Sequence, residues 1–597
     1  MAGAPTSPKS RSGRNDGKRD VGSTSVRRVP DDWLPAFYKA LIILLATMWA
    51  YAPAYHGDWL WDDDQLLTAN ADVQQPGGLS RIWFKPTGAD YFPLSLTSLW
   101  IEWRLWGMNP TGYHVTNVIL HALGSIMVWR LLARMGIGCA WFGALLYALH
   151  PMNVESVAWI SERKNALSLP LFVLAAWGWI RFDQEGKNRH YLVALVGFLL
   201  AMLAKTSVVM LPIVFLMHAW WKRGRIALQD VKRAAPFFLI SLILGLITLK
   251  FQHERAIGGE VIPIGGALSR IATAGLSLWF YLWKAILPFE LLPIYPRWNT
   301  NPPNVWQVVL PWTGVLVVAA ACWFKRNSIG KHLLFGLGYF AVMLLPILGF
   351  ITISYMRISW VADHFVHLPL ISIVALAAAA AAWAYDRLRA NKWLQSAGVA
   401  VASALVIMFA IISFTLAGHY QNEEALWHYT LSKNYDAWQA HNRLGAREAM
   451  RGNMESAHKH FTEAVRLRPD LGETQHNLGM SYLNRGDVKK AYEHYRMSEK
   501  NSMESDGIME NIAAAYARMG RFDDATRAFQ HLLKRQPQNP AYLCNYGVVL
   551  YHQGKLDEAI DMFRKSLQID PRQKDARDNL NAALRMKGET VPGGVGR

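Results

Sequence analysis

From residue 37 to residue 417 the chain alternates apolar runs with short polar breaks. Beyond 417 polar and apolar positions mix at a helical period instead. Crossing a bilayer as a helix takes about 17–25 residues. The runs fall at roughly 37–55, 113–133, 138–151, 165–180, 190–204, 207–221, 235–252, 307–324, 332–350, 365–385 and 393–417. Several are short, which predicts tilted or partly embedded helices. A further apolar stretch, 268–288, carries Arg270 and Lys284 and leads into LPFELLPIYP, so an interfacial or re-entrant helix is expected there. The expected fold class is all-α: a polytopic membrane bundle of about 11 spans followed by an α-solenoid.

The solenoid is read from a second pattern. Gly452, Gly486, Gly520 and Gly554 are spaced by 34 residues, as are Ala457, Ala491, Ala525 and Ala559. Phe461, Tyr495, Phe529 and Phe563 keep the same register, and Pro469, Pro537 and Pro571 close three of the four repeats. Glycine lets the turn between two helices close, alanine lets the helices approach, and the aromatic ring fills the gap. Three series in one register resemble tetratricopeptide repeats. Trp427 stands 34 residues before Phe461, which predicts a leading half-repeat joined directly to the last span. Stacked helix pairs make a concave groove suited to a peptide or a partner helix; a rigid spacer is the alternative.

These patterns divide the chain into a disordered cytoplasmic tail (1–30), a membrane domain (31–417), a repeat domain (418–580) and a flexible C-terminal tail (581–597). The net charge of +18 changes the picture only when it is mapped. The tail holds 7 basic and 2 acidic residues, while 418–597 is nearly neutral with 26 basic and 23 acidic. All of the remaining excess lies in five loops: Arg130/Arg134, Arg181–Arg189, Lys222–Arg233, Lys325–Lys331 and Arg387–Lys392. Basic loops mark the cytoplasmic side. The charge therefore encodes orientation in a multi-pass inner membrane, with no nucleic-acid partner expected, the N-terminus inside and the repeats outside. Cys139, Cys322 and Cys544 are too few and too scattered for a disulfide framework.

Candidate chemistry gathers in the loops expected outside. HGDWLWDDDQLLTAN places Asp62, Asp63 and Asp64 in a row just after the first span. Adjacent carboxylates repel, so at least one should have a raised pKa or a cationic partner; a solvated or metal-binding loop is the bland reading. HPMNVESVAWISERKN places His150, Glu155, Glu162, Arg163 and Lys164 at a second outside turn, and Lys205 sits between two apolar runs at a third. Ionisable residues at such depths are functional candidates. Arg163, Lys164 and Lys205 have the chemistry to neutralise a phosphate, with headgroup snorkelling as the alternative. Arg357, Asp363 and His364 stand at a late helix start, where Asp363 has a plain capping role available. His114, Asn117 and His121 share one helical face, as either a zinc site or, preferentially, polar glue between helices. No phosphate-binding glycine loop, HExxH or serine nucleophile elbow occurs.

In order along the chain, WDDDQLLTAN, YHVTNVILH, LHPMNVESVAWISERKNALS, LAKTSVVMLP, LPIYP and VADHFVHLPL precede the repeats. This set resembles bacterial multispanning proteins with a C-terminal repeat array. More distantly it is similar to the cadherin-targeting transmembrane O-mannosyltransferases and the protein mannosyltransferase group of GT-C glycosyltransferases. The resemblance implies a polyprenyl-phosphate sugar donor, an outward-facing active site and an acidic pair in the first outside loop. The family's aromatic-Asp-Asp pattern falls on Trp61-Asp62-Asp63, with Asp64 as an extra acid; its lysine falls on Lys205 and its HPxxxESVAWxxERK stretch on His150–Lys164. Where many relatives carry Ala-Asp-Arg, this chain has Ala362-Asp363-His364, which weakens a phosphate role there.

The function expected on that basis is inverting transfer of a hexose, such as mannose, to Ser/Thr hydroxyls of extracytoplasmic proteins. Asp62 or Asp63 would be the base, and Lys205, Arg163 and Lys164 would hold the donor phosphate. The repeats would bind the acceptor. A divalent metal remains an option, without a confident ligand set. Competing readings are a lipid or surface-glycan acceptor, a non-enzymatic scaffold and a transporter. Charges gathered at turns, away from mid-membrane, favour the transferase.

Overall fold

A computed structural model of the chain describes residues 33–86, 88–257, 262–501 and 506–589. The expected tail at 1–30 lies outside the described residues, as does 590–597. Among the described residues there is no strand. Each expected span is helical, and two further long helices, α2 and α9, lie between spans. In chain order the membrane-domain α-helices of nine residues or more are α1 (Trp33–Ala50), α2 (Pro93–Trp106), α3 (Pro110–Arg134), α4 (Ala140–Ala148), α5 (Arg163–Glu185), α6 (Asn188–Ala204), α7 (Leu211–Arg223), α8 (Leu228–Phe251), α9 (Ala267–Ile286), α10 (Val305–Phe324), α11 (Ile329–Leu344), α12 (Leu370–Arg387) and α13 (Lys392–His419). Their ends follow local chemistry. Asn304 caps α10 by accepting the Gln307 N–H at 2.9 Å, and Gln307 returns the favour to the Asn304 N–H at 3.0 Å.

By length and composition, 7 helical segments among the described residues are long and apolar enough to cross a membrane. Helix α4, of 9 residues, is too short to do so as a straight helix. The helices form one bundle whose two ends differ. At one end the basic loops meet: Arg134 pairs with Glu185 at 2.8 Å, Arg223 with Asp183 at 2.7 Å, and Trp221 donates to His332 at 3.1 Å. At the other end lie the acid loop and the 150–165 turn. Both ends of α9 stay at this second end. Arg270 donates to the Gly349 and Phe350 carbonyls at 3.1 and 3.3 Å, and Lys284 donates to the Phe289 and Glu290 carbonyls.

The array continues from α13 as α14 (Glu423–Lys433), α15 (Trp438–Met450), α16 (Met454–Leu467), α17 (Gly472–Asn484), α18 (Val488–Asn501), α19 (Asp506–Arg518), α20 (Phe522–Arg535), α21 (Pro540–His552), α22 (Leu556–Ile569) and α23 (Lys574–Lys587). The half-repeat at Trp427 is α14, and α23 carries the array seven residues past the expected boundary at 580. Each repeat glycine is left-handed, from φ +71° at Gly520 to +84° at Gly452, and Gly588 at +81° ends α23 in the same way. Only glycine adopts that conformation without a steric penalty. The four alanines and four aromatics of the register are at most 1% exposed. A second glycine series explains the helix approach: a Cβ on Gly445 or Gly547 would stand 2.7 or 2.6 Å from the Phe461 or Phe563 ring.

The array is docked on the membrane domain at the acid-loop end. Tyr429 donates to the Leu291 carbonyl at 2.8 Å, Asn434 to the Ile294 carbonyl at 3.1 Å, and Arg468 to the Arg357 carbonyl at 3.1 Å. Acid loop and repeats therefore share one face of the molecule. Cys544 is buried and Cys139 exposed at the start of α4; all three cysteines are free.

Candidate functional site

A cavity of about 680 Å³ lies beneath the array at the acid-loop end. Its polar wall carries Asp62, Asp90, Glu162, Lys164, Lys205, Arg357 and His364. Its apolar wall, formed by Leu249, Ile347, Phe350 and Ile351 among others, reaches the outer surface of the bundle, where Phe350 is 40% and Ile351 41% exposed.

The three adjacent acids separate once the loop folds. Asp62 is half-buried and lines the cavity. Burial raises its pKa, while Lys164, Arg443 and Arg357 oppose that rise. Asp63 turns inward and lines no part of the cavity. Its carboxylate accepts from the Leu60 N–H at 2.8 Å, the Ser161 N–H at 2.8 Å and the Ser161 hydroxyl, so it pins the acid loop to the 160–162 turn. Burial pushes its pKa up to about 7 against those three donors. Asp64 faces outward, half-exposed, with Arg443 3.9 Å away. The expected repulsion is relieved by pointing the three groups in different directions.

The cations separate too. Glu162 is buried between Lys164 and Lys205, at 3.1 and 3.2 Å, and also accepts from Asn165 at 2.8 Å. Lys205 is held in its extended backbone at the end of α6, and burial lowers its pKa against the pull of Glu162. Lys164 and Lys205 thus share this one carboxylate at the cavity wall. Arg163, expected beside them on the phosphate, is turned away. Its guanidinium is 1% exposed and spent on Glu102 at 2.7 Å, Asn117 at 2.5 Å and the Tyr113 carbonyl at 3.0 Å. The reason is helical geometry: Arg163 and Lys164 are neighbours at the start of α5 and point about 100° apart.

Other expected residues act as supports. His150 caps the 151–153 turn: its Nδ1 accepts the Met152 N–H at 3.3 Å, and its Nε2 lies 3.1 Å from the Ala285 carbonyl. Glu155 accepts the His364 N–H at 2.9 Å and lies 3.0 Å from His364 Nδ1, so it fixes the histidine that lines the cavity. Asp363 does not cap a helix with its side chain. It accepts from Tyr295 at 2.8 Å, and burial, then Glu155, raise its pKa. Asn117 binds the Trp159 carbonyl and Arg163, and His121 the Ala148 carbonyl, which is polar glue between elements. Among the described residues no three His, Cys, Asp or Glu side chains are placed to hold a metal ion.

Sequence reasoning missed Asp90 and Gln252. The Gln252 amide donates to Asp90 at 2.5 Å and accepts from the Ser354 N–H at 2.9 Å, joining three loops around the cavity. Neither sits in a pattern that singles it out. It also missed Glu423 and Arg443, which belong to the array and reach the acid loop.

The family described as Dolichyl-phosphate-mannose-protein mannosyltransferase matches residues 93–249, and the Tetratricopeptide repeat family matches 511–576. The protein O-mannosyl-transferase TMTC4 of Mus musculus is 22% identical over 512 residues, covering 72% of this chain and 66% of that one. The chain is similar to protein O-mannosyl-transferases. The mannosyltransferase match takes in Glu162, Lys164 and Lys205, while the acid loop precedes it. TMTC1 of Mus musculus is 30% identical over 185 residues, 28% of this chain and 20% of the relative. The chain thus spans less than two thirds of the length of these relatives. A solved structure, "Crystal structure of YrrB: a TPR protein with an unusual peptide-binding site", is 17% identical, covers 27% of this chain and 84% of its own, and gives a TM-score of 0.24.

Proposed function

We infer that the chain is a membrane glycosyltransferase that moves a hexose, with mannose the first candidate, from a polyprenyl phosphate to Ser/Thr hydroxyls of proteins outside the cytoplasm. The observation that carries this reading is the shape and charge of one cavity. A half-buried carboxylate, Asp62, shares it with Lys164, Lys205 and Arg357, and its apolar wall continues to the lipid-facing surface. A free sugar needs no such wall, and a structural ion cluster needs no such space.

Asp62 takes the proton of the acceptor hydroxyl as its oxygen attacks the anomeric carbon from the side opposite the phosphate. The bond from that carbon to the phosphate oxygen breaks, and its electron pair leaves on the phosphate. Lys164, Lys205 and Arg357 meet the developing charge. Glu162 keeps the lysines in place without neutralising both. The polyprenyl chain lies along Leu249, Ile347 and Ile351. Inversion at the anomeric carbon follows from a single displacement.

The basic loops share the end opposite the cavity, which supports an orientation with those loops and the N-terminus in the cytoplasm and the array outside. The array's place above the cavity suits it to hold an acceptor protein close to Asp62 and raise its local concentration.

Intact-mass analysis of extracytoplasmic proteins from cells with the chain, without it, and with Asp62→Asn tests the assignment. A hexose-sized increment that requires both the chain and Asp62 supports it. Transfer that persists with Asp62→Asn, or changes confined to lipid glycans, would overturn the base or the protein acceptor respectively.

A further inference from the structure

Trp61, immediately before the cavity-lining Asp62, has a left-handed backbone with φ +46°. A bulky non-glycine residue holds that conformation only when its surroundings impose it. Here both ends of the residue are gripped by the repeat array. The Trp61 N–H donates to Glu423 of α14 at 2.9 Å, and its carbonyl accepts from Arg443 of α15 at 3.5 Å. Glu423 and Arg443 stand 3.7 Å apart, so the two grips form one ion pair across the Trp61 peptide. The indole is also held, stacked on Trp159 at 5.0 Å and met edge-on by Trp427 of α14 at 5.0 Å.

The 34-residue register shows that Arg443 is a departure from the array's own pattern. The equivalent positions of the next four first helices are Asn477, Asn511, Asn545 and Asn579. Only the repeat that faces the acid loop carries arginine there. A spacer or a freely hinged acceptor-binding arm has no use for that exchange.

We propose that Glu423 and Arg443 are positioning residues of the transfer site, which clamp the Trp61 peptide and so fix where Asp62 points. The repeat array is then part of the catalytic architecture and not only a tether for acceptors. This rests on the assignment of Asp62 as base. Losing the clamp frees Trp61 to relax to an ordinary backbone conformation, which swings the next carboxylate away from Lys164. Substrate binding, which uses the lysines and the apolar wall, is left in place.

The test uses the full chain in detergent, with Glu423→Ala, Arg443→Ala and Glu423→Gln. Hydrogen exchange is followed at 58–68. Mannose transfer is followed from a polyprenyl-phosphate-mannose to a serine-containing peptide. Both alanine variants should speed exchange at 58–68 by about tenfold or more. They should lower kcat by a similar factor while the donor KM stays within about twofold. Glu423→Gln, which keeps an acceptor oxygen for the Trp61 N–H, should stay near the unsubstituted protein in both measurements. Exchange unchanged in the alanine variants, or a loss expressed in KM with kcat intact, would overturn the proposal. An unsubstituted chain that transfers nothing would count against the proposed function, and the exchange measurement would still decide whether the clamp exists. Protection across 438–501 serves as the folding control and should not change.

Discussion

The membrane domain and the repeat array are both helical, yet they manage charge in opposite ways. At the cavity end of the membrane domain ionised groups are buried in tight sets: Arg163 with Glu102, and Glu162 with Lys164 and Lys205. Each partner removed leaves a charge stranded in a poorly polarisable interior. In the array the pairs are spread on the surface, as with Arg485 and Glu455, 40% and 68% exposed. Water and salt screen them, and stability comes from a repeated apolar contact. The first design creates a site that tolerates little change; the second creates a scaffold that tolerates much. The two meet at Trp61.

That contrast can be broken in stages. The largest effect should come from Asp62→Asn, which lowers transfer by about 10²–10⁴-fold, the usual yield of a general base, read from the mass increment on acceptor proteins. Next, Arg163→Ala should cost about 3–5 kcal/mol of stability by stranding Glu102, measured by thermal unfolding in detergent. If Arg163 instead held the donor phosphate, the donor KM would rise with stability intact. In the array, Phe529→Ala and Phe563→Ala should cost about 3–5 kcal/mol each, nearly equal because the repeats are equivalent. At the small end, Arg485→Ala should cost less than about 1 kcal/mol.

The acids add a pH signature. Burial raises the Asp62 pKa, so transfer should fail on acidification before pH reaches the ordinary carboxylate value of about 3.9. Asp63 works through stability. Its pKa is raised to about 7 in the folded chain, so across the range up from about 3.9 the folded form holds a proton that the unfolded form has lost. Stability should therefore fall as pH rises through this window, and Asp63→Asn should flatten that slope. For orientation, the buried Cys544 is a poor label. Met450→Cys, at a position 86% exposed, should react with an impermeant thiol reagent from outside.

The array was legible almost entirely in the sequence. Glycine, alanine and aromatic residues recur at a fixed spacing because every repeat solves the same turn and the same helix contact. Only its last helix, to Lys587, ran past the expected boundary at 580. The spans were legible as apolar runs, since lipid-facing and core-facing positions are alike apolar. The site was legible as a set of segments but not as roles. Arg163 and Lys164 are adjacent and chemically similar, and so are Asp62 and Asp63; nothing in the order of letters says which faces the cavity. Asp90 and Gln252 carried no pattern, because a single hydrogen bond between distant loops leaves no periodic trace.

By itself, then, the sequence determined the helices, the repeat register and the place of the acids and lysines at the ends of apolar runs, since these follow from local periodicity and from the free energy of transfer to lipid. The tertiary structure alone decided that Asp62 lines the cavity while Asp63 pins its loop, that Arg163 is a strut, and that the first repeats close over Trp61. Those outcomes depend on which partners meet across 46 to 382 residues of chain, from Asn117 with Arg163 to Arg443 with Trp61. A side chain's role at such a site is set by the groups that reach it in space.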